Sequence, residues 1–375
     1  MPPKRIMIIA GEASGDLHGA KLAQSIKNRC KDIFLFGVGG KAMKTEGVWR
    51  IVDTNSLSVM GITEVLAKLP TINRAMATVK KALKKSRPDL LILIDFPDFN
   101  FHVAAVAKKL NIPVLYYIGP QIWAWRQNRV KKIKRLVDHM AVILPFEAPF
   151  YRKHHVPVTF VGHPLLDRIP PMPSRAPSAR RLKEPIIGLL PGSREKEVST
   201  LLPVMLEAAR IFNRCHPAAR FLVSCSDSID ENLVTDAVSQ YVSTLEIEIT
   251  KGPVVEVFKQ SQLLVAASGT VTLEAALYGV PTVIVYKVSP LSYRLGKRLI
   301  KVKHIGIVNL IAQRELMPEL IQDDASPQNI AETITAMIND PERLSLLEEE
   351  LFHVRDLLGG AGASDRVARI ALSLI

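Results

Sequence analysis

Two glycine-bearing turns and one pair of aspartates hold the residue types and spacings that could do chemistry. The stretch "LLPGSREKEV" sets Gly192, Ser193 and Arg194 between a buried apolar run and a helical pattern. A glycine there lets backbone approach a ligand, and the free N–H groups of a helix start attract an anion. Arg194 adds a planar cation whose fork matches a diphosphate. In "LLVAASGTVTLEAAL" a second apolar run ends in Ser268, Gly269 and Thr270, with Glu274 about one turn into the next helix. A carboxylate so placed can accept hydrogen bonds from both hydroxyls of a ribose. It also suits a helix dipole, and both readings stand for Glu274 alone. Taken together the two turns outline a nucleoside-diphosphate site. In "LLILIDFPDFNF" Asp95 closes an apolar strand and Asp98 follows. Asp95 fits a general base whose burial lifts its pKa to a useful value, yet Asp-Phe-Pro-Asp is also good turn chemistry.

Other pieces bear on partners. "AGEASGDLHGA", residues 10–20, is a strand–turn–helix junction that carries Glu12 and Asp16, which would repel a phosphate. Ile62, Val65, Leu66 and Leu69 form one helical stripe, Pro70 interrupts it, and Ile72, Met76, Val79 and Leu83 continue it beside Lys80, Lys81, Lys84 and Lys85. Such a stripe either enters the core or lies in a membrane interface with lysines on the headgroups. "WAWRQNRVKKIKR" puts Trp123, Trp125 and Arg126 next to a basic run, which suits an interface or stacking on a sugar.

The elements that must position these residues alternate. Short apolar runs ("IMIIA", "IFLFGVGG", "LLILID", "VLYYIG", "HMAVILP", "VTFVG") are separated by helical segments such as 17–29 and 71–86. That pattern predicts a parallel sheet covered on both faces. A proline-rich stretch follows, and then the alternation restarts with "IIGLLPGSR", "ARFLVSC", "LEIEIT", "LLVAASG" and "TVIVYK". The expected organisation is a first α/β domain over 1–170, a linker over 171–185, a second α/β domain over 186–355 and a C-terminal helix over 356–375. That helix, with an N-cap at Ser364, either packs back on the first domain or meets a partner subunit in a homodimer.

The 375 residues allow two domains. Net charge is +13, unevenly spread: residues 1–180 hold 29 Lys+Arg against 12 Asp+Glu, and residues 181–375 hold 20 against 24. The first half therefore favours an anionic partner. No RRM, KH or OB pattern supports nucleic acid. No apolar run approaches a membrane span, and no signal peptide is expected. Cys30, Cys215 and Cys225 read as reduced cytosolic residues. Neither a G-x-G-x-x-G nor a P-loop is present, and no D-x-D holds a cation, so no metal and no cofactor are expected.

"GEASGDLHGA", "VMGITEVL", "IDFPDFN", "IWAWRQNRVKKI", "LLPGSR", "SGTVTLEAAL" and "VNLIAQRELMPELIQ", in this order, resemble the lipid-A-disaccharide synthases. The resemblance implies a GT-B glycosyltransferase: two Rossmann-like domains facing across a cleft. It implies transfer of 2,3-diacylglucosamine from its UDP conjugate to 2,3-diacylglucosamine 1-phosphate (lipid X), giving the β(1→6) disaccharide and UDP with inversion. It puts UDP on the second domain, at Gly192, Ser193, Arg194, Ser268, Gly269, Thr270, Glu274 and Asn309. Asp95 is then the expected base, with Asp98 beside it. Glu12, Ser14 and Gly15, with Trp123, Trp125 and Arg126, become acceptor-side candidates, although a purely structural turn serves "GEASGD" as well. The basic first half then faces an anionic inner-membrane surface, on the cytoplasmic side. A UDP-N-acetylglucosamine 2-epimerase is the rival on a similar nucleotide site.

Overall fold

The computed structural model describes residues 3–54, 62–169, 184–299 and 302–375. The stretch 171–185 lies outside these residues except for its last two positions. The chain divides into two compact units, Met1–Arg168 with Leu358–Ile375, and Ile169–Leu357.

The first unit is built on a parallel sheet of β1 (Lys4–Ala10), β2 (Ile33–Gly39), β3 (Trp49–Asp53), β4 (Leu90–Ile94), β5 (Val114–Tyr117), β6 (His139–Val142) and β7 (Val158–Phe160). Their order in the sheet is β3-β2-β1-β4-β5-β6-β7. Successive side chains of a strand face opposite ways, so β1 feeds two cores. Met7 and Ile9 meet Ala75, Val79 and Leu83 on one face, while Ile6 and Ile8 meet Leu22, Ala23 and Ile26 on the other. The C-terminal helix Ala363–Ser373 completes that second face through Val367, Ala368 and Ala371.

Ser364 does not cap this helix. Gly362 takes the N-cap position in a left-handed conformation, and Ser364 is buried in the first turn. The free N–H groups are met from afar: the Asp167 carboxylate accepts from Gly362 at 2.5 Å, from Ala363 at 3.3 Å and from Ser364 at 3.5 Å. Pro70 does not end its helix either; one helix runs Ile62–Ser86 with the proline inside. Packing of its second half outweighs the hydrogen bond that a proline forfeits. Val79 and Leu83 are fully buried, so that half of the stripe is core. The side chains of Ile62, Val65 and Leu66 lie outside the described residues, and Leu69 is exposed.

The second unit repeats the plan with β8 (Ile186–Leu190), β9 (Arg220–Cys225), β10 (Glu246–Lys251), β11 (Leu263–Ala267), β12 (Thr282–Tyr286) and β13 (Glu319–Ile321), ordered β10-β9-β8-β11-β12-β13. β3 and β13 are strands that the apolar-run reading passes over. Both stand at a sheet edge and neither is fully buried, so neither needs a continuous apolar run.

Each sheet changes direction of strand order once, between β1 and β4 in the first and between β8 and β11 in the second. In open parallel sheets the crevice for a ligand opens at that point, beyond the carboxyl ends of the strands. The turns after β1, β4, β8 and β11 are those that carry Glu12, Asp95, Arg194 and Ser268.

Candidate functional site

In the first unit the two turns touch. A Cβ on Gly11 would fall 2.2 Å from the Phe96 ring, so only glycine lets the turn after β1 lie against the turn after β4. Asp95 and Phe96 both take left-handed backbone angles, φ 46° and 48°. Such a pair is costly for residues with a Cβ and persists only when its surroundings hold it. Here the Asp95 carbonyl accepts from the Tyr116 hydroxyl at 2.7 Å and from Asn100 Nδ2 at 2.6 Å. The Asp95 N–H donates to the Ile118 carbonyl at 3.2 Å. The side chain is thereby set at a forced bend between strand and helix, half-buried. Burial, with the Glu12 carboxylate nearby, pushes the Asp95 carboxyl up to about 6. Sequence reasoning names neither Asn100 nor Tyr116, because their role depends on side chains folding back onto a carbonyl.

Asp98 lies elsewhere in this geometry. It sits in the first turn of helix Pro97–Lys109, exposed, and pairs with Arg129 at 3.0 Å. Asp16, the other acid of the opening turn, is buried and engaged by three backbone N–H groups. Its carboxylate accepts from the N–H groups of Gly40 (2.6 Å), Ala42 (2.9 Å) and Met43 (3.1 Å), capping the short helix Lys41–Thr45. Of the two acids that would repel a phosphate, Asp16 is thus a helix cap.

Two of the six acceptor-side candidates, Gly15 and Trp123, are buried, and the other four are exposed. Glu12 and Ser14 are exposed at the turn. Gly15 is buried, with Ala10 and Ile94 at ordinary contact distance, 3.4 and 3.7 Å, from where a Cβ would stand. Trp123 is buried as well. Its indole N–H donates to Glu147 at 3.1 Å and its ring meets Phe146 edge-on, so it is a core residue and not a stacking platform. The buried Glu147 also accepts from Leu144 and Ile143 N–H, and burial pushes it up to about 7. Trp125 remains exposed with the Arg126 guanidinium 4.1 Å above its ring. A four-residue helix, Ile122–Trp125, turns the two tryptophans to opposite fates.

In the second unit β8 and β11 pair directly, so their turns emerge side by side. Gly192 has φ +119°, a region closed to other residues, and a Cβ there would strike the Glu197 carboxylate at 2.6 Å. Ser193 is exposed, and its carbonyl accepts from the Ser228 hydroxyl at 2.9 Å. Arg194 occupies the N-cap position of helix Glu195–Asn213, exposed, with its guanidinium 2.8 Å from Glu197. Ser268 is half-buried, and Gly269 and Thr270 are exposed at the start of helix Thr270–Leu277. Nothing lies within 4 Å of where a Gly269 side chain would be, which leaves room for close approach to the backbone. Glu274 is half-buried in the same helix.

Asn309 differs from its expected role. It is wholly buried, and its carboxamide is spent on the protein. Nδ2 donates to the Met317 carbonyl and to Glu319, both at 2.7 Å, and Oδ1 accepts from Leu316 (2.8 Å) and Met317 (2.9 Å). Both donors and both acceptor positions are used. Its side chain is a staple between helix Ile307–Ala312 and the turn before β13, not a ligand for UDP. Glu319, which accepts from Ile305 and Gly306 N–H as well, is the partner that the sequence reading missed.

A family profile described as "Lipid-A-disaccharide synthetase" matches residues 6–359. The lipid-A-disaccharide synthase of Geobacter metallireducens is 46% identical over 383 residues, covering 100% of this chain and 98% of that protein. The chain belongs to the lipid-A-disaccharide synthase family. It is accordingly a glycosyltransferase of lipid A biosynthesis. Among solved structures, MurG of Acinetobacter baumannii is similar at TM-score 0.59 and 16% identity, covering 99% of this chain and 100% of that one. A UDP-GlcNAc 2-epimerase of Neisseria meningitidis bound to UDP-GlcNAc is similar at TM-score 0.65 and 12% identity, covering 98% and 100%. These likenesses show a GT-B fold with two parallel-sheet α/β domains, shared by transferases and epimerases alike. The family decides between them, in favour of the transferase.

Proposed function

We propose that this enzyme moves 2,3-diacylglucosamine from UDP to the 6-hydroxyl of 2,3-diacylglucosamine 1-phosphate in one inverting displacement. The observation that carries the reading is Asp95, held in a forced left-handed bend at the first sheet's crossover with its carboxyl pushed up to about 6. The acceptor hydroxyl is a weak nucleophile and must lose its proton as it attacks C1. Asp95 takes that proton. The C1–O bond to UDP breaks as the new C1–O6 bond forms. The charge left on the diphosphate falls to Arg194 and to the N–H groups of the turns after β8 and β11, with no cation required. Glu274 takes the ribose hydroxyls. Glu12 and Ser14 address the acceptor sugar, and Asp98 orients the bend through Arg129.

The test is incubation of the purified enzyme with UDP-2,3-diacylglucosamine and lipid X, products read by mass. A disaccharide 1-phosphate with one UDP per product is expected. UDP released without disaccharide, or epimerised sugar from UDP-GlcNAc alone, would overturn the reading.

The membrane part of the proposal rests on different residues. No helix among the described residues is long and apolar enough to cross a membrane. Leu69 is exposed on the lysine-rich helix Ile62–Ser86, and Trp125 and Arg126 are exposed in the basic run that follows. They suit peripheral attachment to an anionic, cytoplasm-facing lipid surface. Binding to vesicles containing anionic lipid should weaken as salt rises. Leu69→Ser with Trp125→Ser should reduce it several-fold without lowering the melting temperature. Binding that ignores both salt and these changes would remove the attachment from these residues.

A further inference from the structure

A buried acid beyond β6 has no part in the transfer as derived above. Glu147 begins helix Glu147–Lys153 and is 2% exposed. A carboxylate taken out of water is costly unless hydrogen bonds compensate it. Its two oxygens divide that task. Oε2 accepts from the N–H groups of Ile143 (3.3 Å) and Leu144 (3.0 Å), in the turn before its own helix. Oε1 accepts from the Trp123 indole at 3.1 Å. The first pair is local; the second contact reaches into the segment beyond β5.

That segment, residues 118–129, is what the Asp95 bend leans on. Ile118 takes a left-handed φ of 56°, and its carbonyl accepts the Asp95 N–H at 3.2 Å. Farther along, Arg129 pairs with Asp98 at 3.0 Å. Between these two contacts helix Glu147–Lys153 grips the segment twice. Glu147 holds Trp123, whose ring also meets Phe146 edge-on. Tyr151, fully buried one turn on, lies so close to Gly119 that a Cβ there would stand 3.4 Å from its hydroxyl.

The geometry points to Glu147 as a positioning residue for the transfer: by fixing Trp123 it fixes the segment beyond β5, and through the Ile118 carbonyl the bend that aims Asp95. The inference rests on Asp95 being the base, as proposed above. Glu147 is sealed from solvent, so it acts through that segment and not on a ligand. A carboxylate suits the place because three donors converge on it and it only accepts.

Glu147→Gln keeps the shape and alters that balance. Its one oxygen can serve Ile143 and Leu144, which leaves an amide N–H group facing the Trp123 N–H. Trp123→Phe removes the same bond from the other side and leaves the carboxylate its two local donors, so the test stands even if Glu147→Gln fails to fold. Melting temperatures check both variants. Each should lower kcat by about 10- to 100-fold, the scale of a small misplacement of a catalytic group, with the KM for the UDP sugar unchanged. The acid limb that Asp95 sets near 6 should move down as the loosened bend admits water, Glu12 and Tyr116 being the titratable groups that face it. The two changes combined should cost no more than either alone, because they break one bond. In an Asp95→Asn background neither should lower kcat further, since no base is left to aim. A folded Glu147→Gln or Trp123→Phe enzyme with the wild-type kcat would overturn the inference while leaving the transfer intact. So would losses that multiply in full with Asp95→Asn, which would reduce Glu147 to a support of the fold. An Asp95→Asn enzyme at the wild-type rate would overturn the reading of the base and this inference with it.

Discussion

Asp95→Asn is expected to lower kcat by about 10²–10⁴-fold, the range of a lost general base, while UDP binds as in the wild type. Asparagine keeps the shape of the side chain and removes its basicity. The backbone bend should survive, because Tyr116 and Asn100 hold the Asp95 carbonyl and not its carboxylate. Asp98→Asn is the matched comparison. It weakens an exposed ion pair with Arg129, so a change of only a few-fold is expected. If Asp98→Asn is the silent enzyme and Asp95→Asn turns over normally, the roles are reversed.

The same residue sets the pH dependence. A base works ionised, so kcat/KM should fall as pH drops through about 6, not through the ordinary aspartate range near 4. Glu12 is one cause of the upward shift, after burial. Glu12→Gln removes the like charge, and the acid limb should move to lower pH. Stability carries the opposite sign. The folded state holds a proton on Asp95 that the unfolded chain releases near 3.8, so this group's contribution declines as pH rises from about 4 through about 6. An acid limb that stays near 4 in the wild type would separate Asp95 from the proton transfer.

What the sequence made legible follows physical lines. The buried strands were plain because each is a continuous apolar run, and the two site turns were plain because Gly192 and Gly269 punctuate them. β3 escaped because an edge strand needs no such run: Trp49 is 67% exposed. The same holds for fates set by tertiary contact. Trp123 and Trp125 share a composition and a neighbourhood, yet the first found Glu147 and Phe146 and the second found water. Asn309 had the right type for a ligand site, and its side chain was claimed by a loop. Ser364 looked like a cap until Asp167, remote in sequence, took that work. A local pattern shows what a residue can do, and long-range partners decide which of those things it does.

Arg194→Ala is the second large effect. The proposal assigns the growing diphosphate charge to Arg194 and to backbone N–H groups, with no cation to share it. Removing one such donor should cost on the order of 10²-fold in kcat, the lower end of what a lost oxyanion donor costs. In this structure the guanidinium lies 2.8 Å from Glu197 and is largely exposed, so the pair itself adds little stability. Its fold should therefore be unaffected, and the melting temperature should stay near the wild type. Arg194→Lys should recover only part of the rate, since an ammonium supplies charge without the planar fork that meets two oxygens at once. EDTA should leave the wild-type rate unchanged. A requirement for a divalent cation would transfer the charge-stabilising role from Arg194 to the metal. An Arg194→Ala enzyme within a few-fold of wild type would do the same without naming the replacement. The outcome that sustains the proposal is a pair of results: a metal-independent wild type, and a folded Arg194→Ala variant that releases UDP about a hundredfold more slowly, the loss expected for one donor of this kind.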